Sequence, residues 1–315
     1  MRRWVLLALT VLVGCGSRSV GYLDGEGIGG SDGGSGGQGA GGTGGTGGTG
    51  GAGAATAFGH LGVAHLVEDG SYGQESLSLG GAFYGEDYDP EAAKWGYIDT
   101  LSTPDGVSCD IYYTSSMGGG GGPPDPPLQI DGGTVSAGAD WDPDERLEIL
   151  FDGVQYSVDW RNPQSSAENW PSWASPPQAV ALTFDGTGGA NALPFAQELI
   201  LPAMPTLISP PADQQPVPPG EGGYLISWQP TEADELLVVL QFNLDWDDSA
   251  FRCHPPPGTT QLVIPGQWIV EWTWGSGAVQ VIARNETTLM AGTAQVRLRA
   301  QRLRQRYVLF DVLWP

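Results

Sequence analysis

Carboxylates are the most abundant side chains with catalytic potential in this sequence. Aspartates and glutamates cluster at residues 86–91, 140–145 and 245–248. Two carboxylates that flank a glycosidic bond can act as acid and base in its hydrolysis, so a carboxylate-dependent secreted hydrolase is one alternative function. Only the abundance of carboxylates supports a hydrolase, because no sequence motif identifies two of them as a catalytic pair. We therefore predict a non-enzymatic protein with no catalytic residues.

The middle cluster has the beginning of a calcium-binding loop. Asp140, Asp142 and Asp144 occupy alternate positions, as the first ligands of an EF-hand do. Glu145 then takes the position of the turn glycine, and Phe151 takes that of the bidentate glutamate. The sequence therefore predicts no metal centre, and a weaker calcium site on a β loop stays open as an alternative.

Histidine, the usual general base, occurs at His60, His65 and His254. The first two are five residues apart in a strand-like segment, so they should face opposite sides, and no cysteines accompany them at the spacing of a zinc site. His254 precedes three prolines and is predicted to lie in a surface loop. Lys94 follows alanine, which rules out a P-loop. No cofactor is predicted.

Four tryptophans lie beside acidic clusters or in a Pro- and Ser-rich loop: Trp141, Trp170, Trp173 and Trp246. Exposed aromatic rings can pack on the apolar face of a sugar, so these four are the predicted contacts of a glycan-binding module. The competing interpretation is that they fill the core, as large aromatic side chains usually do.

The chain is strongly acidic, with 13 Lys and Arg against 36 Asp and Glu and a formal net charge of −23. Such a charge repels phosphates, so we predict no nucleic-acid partner. Five of the bases are arginines near the C-terminus: Arg297, Arg299, Arg302, Arg304 and Arg306. Arg297 and Arg299 alternate with apolar residues, which predicts that they share the outer face of a strand and pair with carboxylates. Docking on membrane phosphates is the alternative.

The first fifteen residues have the features of an export signal. Arg2 and Arg3 precede an apolar run, Trp4–Val13, that is too short to span a membrane, which takes about twenty residues. The run ends in Leu12–Cys15, with the sequence LVGC, which resembles the lipobox of bacterial lipoproteins. The resemblance implies a signal peptide at residues 1–14, transfer of diacylglycerol to the Cys15 thiol, cleavage before that residue and acylation of the new amino group.

Lipid on Cys15 would hold the protein on a membrane, because each buried CH₂ adds about 0.8 kcal/mol and several acyl chains anchor more firmly than one. The next residue is Gly16. In such lipoproteins an aspartate there retains the protein at the inner membrane, so glycine favours the outer membrane, on its periplasmic or cell-surface face. The predicted partners are the membrane and an unidentified surface protein or polysaccharide.

Residues 15–57 form the predicted tether. From Gly25 to Thr56 the chain is mostly glycine, with serine, threonine and alanine. It has almost no apolar side chains to bury, so we predict a disordered, flexible coil with a root-mean-square span of about 30 Å.

Beyond the tether, short β-forming segments alternate with turn residues, which indicates an all-β fold. We predict two β-sandwich-like domains, at residues 58–203 and 204–315, with a stiff, extended connector at Pro202–Pro219. Asp152-Gly153 predicts a two-residue hairpin turn. The predicted strands are 61–66, 76–84, 108–114, 128–136, 146–159, 179–184, 224–228, 236–243, 261–264, 279–284, 294–299 and 307–313.

The second domain resembles a fibronectin type III or related immunoglobulin-like module. The resemblance is carried by Leu225–Pro230, which includes Trp228, and later by Val279–Asn285 and Gln295–Leu298. It implies a sandwich with a buried Trp228 and a role in adhesion or spacing rather than in chemistry.

Cys109 and Cys253 are the cysteines that remain once lipid occupies Cys15. An oxidising compartment would allow them to pair, and the bridge would then join the two predicted domains. In the chain-entropy model such a large loop implies about 4–5 kcal/mol of stabilisation. Two free buried cysteines are the alternative, because Cys109 lies on the apolar side of its strand.

These features together predict a membrane-anchored, exported lipoprotein with a structural, adhesive or ligand-binding role. The glycan-binding module and the secreted hydrolase are the alternatives.

Overall fold

The structure is a computed structural model. It describes residues 57–69, 75–88, 96–115, 129–141, 144–153, 159–161, 171–174, 177–211, 215–217, 223–244, 247–270 and 275–310. The predicted signal peptide, Cys15 and the glycine-rich tether lie outside these ranges, and so do Asp142, Trp170 and Trp246.

The described residues form strands almost throughout, which confirms the predicted all-β class. In chain order the strands are β1 (Ala57–Asp69), β2 (Glu75–Tyr84), β3 (Gly96–Ser102), β4 (Ser108–Ser115), β5 (Asp131–Gly138), β6 (Leu147–Asp152), β7 (Asp159–Arg161), β8 (Val180–Gly186), β9 (Phe195–Leu201), β10 (Leu207–Ser209), β11 (Gln215–Val217), β12 (Tyr224–Trp228), β13 (Glu235–Leu244), β14 (Asp247–His254), β15 (Gln261–Ile264), β16 (Gly275–Ala291) and β17 (Ala294–Phe310). A short helix, α1 (Gly266–Val270), precedes β16. Among the described residues, no helix has the length and apolar character that crossing a membrane requires.

Hydrogen bonds arrange the described strands in three sheets. Sheet I has ten strands, in the order β3-β4-β14-β13-β16-β17-β1-β2-β7, with β11 also paired to β17. Sheet II has the order β6-β5-β8-β9, and sheet III has the order β10-β12-β15. Both β1 and β11 run parallel to β17.

The centre of sheet I is the long hairpin of β16 and β17. Each strand has 17 residues, and the pairing runs without a register shift from Gly275 and Phe310 to Ala291 and Ala294. The connecting Gly292 has a φ of +71°, a conformation that the tight two-residue hairpin turn requires and that glycine adopts without strain.

Two hydrophobic cores lie on the same face of this hairpin. On β17, the side chains of Ala294, Val296, Leu298 and Ala300 belong to the core under sheet II, and that of Val308 belongs to the core under sheet III. All five have even numbers, and alternate residues of a regular strand point to one side. Sheets II and III therefore both pack on one face of sheet I, which we call the core face; the opposite side is the second face.

Aromatic side chains dominate both cores. Phe83 and Phe151 meet edge to face in the first core, with ring centroids 5.2 Å apart. Phe242 and Phe251 do so in the second core at 5.5 Å, near Trp228, which is 1% exposed. Each such buried ring contributes about 1.5–3 kcal/mol relative to an exposed one.

Sheet I contains strands from both sides of Met204. β4 pairs with β14, and β1 pairs with β17, so the two predicted domains share one hydrogen-bonded sheet. The predicted proline-rich connector takes part in the sheets. It contains β10, which joins sheet III, and β11, which joins sheet I beyond the end of β1.

Candidate functional site

The predicted disulfide is present. Cys109 on β4 and Cys253 on β14 lie directly opposite each other, and their sulfurs are bonded at 2.02 Å. Both residues are 0% exposed and belong to the core under sheet III. The bridge therefore links two neighbouring strands of sheet I that are 144 residues apart in sequence.

The tryptophans predicted as glycan contacts do not form one platform. Trp173 is fully buried, and its indole Nε1 donates to the carbonyl of Glu145 at 2.7 Å. Its assignment as a glycan contact is therefore wrong, because its ring fills the core under sheet II. Trp141 is 61% exposed, next to the end of β5. Trp170 and Trp246 lie outside the described residues.

The aspartates of the weak calcium candidate make ordinary surface contacts where they are described. Asp140 accepts a hydrogen bond from the Thr183 hydroxyl at 2.6 Å, and Asp144 is exposed. Asp142 lies outside the described residues. Within the ranges that the structure covers, no group of three or more His, Cys, Asp or Glu side chains could hold a metal ion.

The five C-terminal arginines divide between the two faces of β17. Arg297 and Arg299 lie on the second face, where Glu286 binds them at 3.5 and 2.5 Å, which confirms their predicted pairing. The other three arginines have even numbers and therefore lie on the core face. This division follows from the two-residue period of an uninterrupted strand.

The three core-face arginines belong to a charged group that lies between the two cores. We call it the junction cluster, and its members are Asp69 and His65 on β1, Glu75 on β2, and Arg302, Arg304 and Arg306 on β17. His65 and Arg302 are directly opposed, as are Asp69 and Arg306. The histidine Nε2 lies 2.8 Å from a carboxylate oxygen of Glu75.

Each of these arginines also binds a backbone carbonyl of the chain that runs over it. Arg302 Nη1 donates to the oxygen of Gln178 at 2.9 Å, and Arg304 Nε donates to that of Pro205 at 3.2 Å. Arg306 donates to the oxygen of Pro210. The arginines thus satisfy a carbonyl of the segment that leads into β8 and two carbonyls of the segments on either side of β10, and such charge-assisted bonds are stronger than neutral ones.

A second polar group, on the second face, is the candidate functional site because solvent reaches it. We call it the second-face row, and it crosses five strands: Asp110 on β4, His254 on β14, Glu235 on β13, Arg284 on β16 and Gln301 on β17. Glu235 lies opposite Arg284, and Arg284 lies opposite Gln301. The side chains of Asp110, His254 and Glu235 are 24%, 39% and 40% exposed.

His254 is the centre of this row. Its Nδ1 lies 3.2 Å from Glu235 Oε1, and its Nε2 lies 3.6 Å from Asp110 Oδ2. Arg284 Nη1 donates to the other oxygen of Glu235 at 3.4 Å, and its Nε donates to Gln301 at 3.2 Å. The prediction that His254 lies in a surface loop is wrong, because it is the last residue of β14.

The hydrogen bond with His254 lowers the pKa of the Glu235 carboxyl against the opposing effect of burial, and Arg284 lowers it further. The row therefore stabilises the ionised form of the Glu235 carboxyl. The imidazole ring occupies the space between the two carboxylates. That position suits ion pairing, whereas a hydrolase would place the substrate between its acid and its base.

The second face also carries a buried polar ladder. Gln280 Nε2 donates to Gln305 Oε1 at 2.6 Å, and Gln305 Nε2 donates to Glu68 at 3.1 Å. The same Glu68 oxygen accepts from the Tyr307 hydroxyl at 3.1 Å. Hydrogen bonding across adjacent strands satisfies these polar groups inside a buried region.

The comparisons with known proteins assign no relatives: no family model matches the chain, and no curated protein matches it. The site therefore depends on its geometry alone. Sequence reasoning missed the second-face row because its residues come from five distant segments and form no motif. The predicted opposite orientation of His60 and His65 was correct, since they lie on different faces of β1 opposite Arg297 and Arg302.

Proposed function

We propose that this chain is an exported, lipid-anchored protein whose folded body has a structural, adhesive or ligand-binding role at a membrane surface. The observation that carries the proposal is the bond between Cys109 and Cys253. Disulfides form and persist in oxidising compartments and are rare where thiols are kept reduced. The chain has three cysteines, so the bridge leaves Cys15 alone, at the end of the apolar run.

The position of Cys15 supports lipid attachment rather than a further disulfide. It follows the short apolar run and the residues LVG, and it precedes the glycine-rich tether. Two or more acyl chains give stable anchoring, whereas one chain gives only marginal membrane binding. The outer membrane remains the favoured destination, because the residue after the cysteine is glycine.

The folded body suits a passive role on such an anchor. The hairpin of β16 and β17 supplies side chains to both cores, so the two small sheets share one support. The disulfide ties β14 to β4 in the same sheet, and the junction cluster fixes the connecting segments. These features favour a rigid body that presents its surface to a partner.

The experiment is fractionation of bacteria that express the full chain, followed by mass spectrometry of the N-terminal peptide. We expect the wild-type protein in the membrane fraction with acyl groups on Cys15, and Cys15→Ser in the soluble exported fraction without them. The double variant Cys109→Ser/Cys253→Ser is the matched control and should keep both the acyl groups and the membrane location. Wild-type protein with an unmodified Cys15 would contradict the proposal.

A further inference from the structure

The junction cluster places a buried histidine against a buried arginine. His65 is 3% exposed and Arg302 is 0% exposed, and the two are directly opposed across β1 and β17. Glu75, on the neighbouring β2, lies 2.8 Å from the histidine Nε2. Its side chain is 41% exposed, so this is the side from which water reaches the cluster.

Two arginines of the cluster hold the segments by which the chain enters and leaves sheet II. Arg302 binds the carbonyl of Gln178, just before β8. The neighbouring carbonyl of Pro177 accepts from the backbone amide of Met204, just after β9, at 2.8 Å. Arg304 binds the carbonyl of Pro205, the residue that follows Met204. We call the segments at residues 177–178 and 202–206 the crossing. Both are fixed on β17, by Arg302 and Arg304, which lie on the same face of that strand.

The surroundings of His65, above all its burial, favour its neutral form. Burial is the main cause that lowers its pKa, and the neighbouring Arg302 and Arg304 lower it further. The bond to Glu75 acts in the opposite direction without overcoming burial. Asp69, on the same strand as His65, is bound to Arg304. Burial lowers the pKa of Arg302 to about 10, so its guanidinium stays charged at neutral pH.

We propose that His65, Glu75 and Arg302 form an acid-sensitive latch, in which protonation of His65 releases the segment at residues 177–178 from sheet I while Arg304 keeps residues 202–206 in place. Protonation puts a second cation opposite the buried guanidinium. The lowest-cost response is to admit water at the partly exposed Glu75 and to lose the bond from Arg302 to Gln178. The strands of sheet I keep their pairing, because their hydrogen bonds do not involve these side chains.

The sign of the pH effect follows from linkage. In the closed state the histidine titrates below its ordinary value of 6.5, and in the open state it titrates near that value. Opening therefore takes up a proton. The opening constant should rise by up to tenfold for each pH unit below 6.5, until the closed-state pKa is reached, and should be constant above pH 7.

Hydrogen exchange at the Met204 amide tests the latch, because this amide donates to Pro177 on the segment that is released, whereas Met204 itself lies on the segment that Arg304 holds. After correction for intrinsic exchange, we expect its protection in the full chain to fall between pH 7 and pH 5. His65→Gln keeps a donor toward Glu75 but does not titrate, so its Met204 protection should not depend on pH. His254→Gln is the matched control and should behave as the wild type does. An amide in the middle of β16 should keep its protection in all three proteins.

Two outcomes would overturn the latch: wild-type Met204 protection that does not change with pH, or an equal change in His65→Gln. Should His65→Gln fail to fold, the His65 ring is titrated in the wild type by NMR. The chain has only three histidines, so the signals are few. An ordinary pKa for His65 would then exclude the proposal, and a lowered one would support it.

Discussion

Asp69 accepts a hydrogen bond from Arg304 at 2.7 Å, although the two residues are 235 positions apart in the chain. The other oxygen of the same carboxylate lies 3.3 Å from Arg306. Asp69 is the last residue of β1, so this contact fixes the end of the strand to β17. It also orients the two arginines that bind the carbonyls of Pro205 and Pro210.

Replacement of Asp69 by asparagine should therefore destabilise the protein more than an ordinary surface change. Hydrogen bonds to charged groups are worth about 1.5–3 kcal/mol, and we expect a loss of about 2 kcal/mol in the free energy of unfolding. Urea denaturation at pH 7 measures it. Glu286→Gln is the control, because it removes ion pairs to Arg297 and Arg299 that have a similar exposure but lie on the second face, away from the carbonyls that Asp69 helps to bind, and it should cost about 0.5 kcal/mol. Equal effects of the two variants would contradict this role of Asp69.

Removal of the disulfide should have a larger effect. In the chain-entropy model, Cys109→Ser/Cys253→Ser loses about 4–5 kcal/mol of stability, because the bridge closes a loop with a sequence separation of 144. Denaturant unfolding with and without reductant measures the loss, and reduction should not affect the double variant. In the unfolded, unreduced wild type, neither thiol should react with an alkylating reagent. Alkylation of both would rule the bridge out.

Trp141 and Trp173, the two predicted glycan contacts within the described ranges, should respond in opposite ways to truncation. Trp173→Ala leaves a cavity in the core and an unpaired carbonyl at Glu145, and should cost about 3–5 kcal/mol. Trp141→Ala removes an exposed ring and should change the free energy of unfolding by less than about 0.5 kcal/mol. Thermal and urea unfolding of both variants measure the difference. A severe loss in Trp141→Ala would show that this ring packs on the body.

The carboxyl of Glu235 should titrate differently once its histidine is removed. In His254→Ala the main cause of its lowered pKa disappears while burial remains, so the pKa should rise. Carbon-13 NMR of the carboxyl group measures it. The lowered pKa contributes stability above pH 4.5 that is lost as the pH falls through the folded-state value, so the two proteins should converge in stability in strong acid. An unchanged Glu235 titration would show that the imidazole does not bond to it.

Much of the strand pattern was predictable, because alternation and turn residues are local signals. The predicted strands at 224–228 and 261–264 have the same bounds in the structure, and that at 76–84 differs by one residue. The strands β3, β9 and β14 were missed. β14 was not predicted because it contains polar residues, an arginine and a cysteine. Its place in sheet I is set by pairing with β13 and β4.

The C-terminal strand shows why the site was harder to predict. Two separate strands were expected at 294–299 and 307–313, with a break at the intervening arginines. β17 instead runs without interruption from Ala294 to Phe310. Arg302 is buried there with Glu75 nearby and with the carbonyl of Gln178 as an acceptor, and neither partner is visible from the local sequence. Whether a charged side chain can be buried therefore depends on partners that are distant in the sequence.

The direction of β1 sets how the protein bears load. The strand begins at Ala57, where the predicted tether ends, and it is paired with β17 over 13 residues and with β2 over ten. A pull on Ala57 along the axis of β1 strains the hydrogen bonds on both sides of the strand together, in shear. A pull perpendicular to the strand, applied at its end, would instead break the hydrogen bonds one after another. The proposed lipid anchor on Cys15, on the N-terminal side of β1, would therefore load sheet I in shear when the pull follows the axis of this strand.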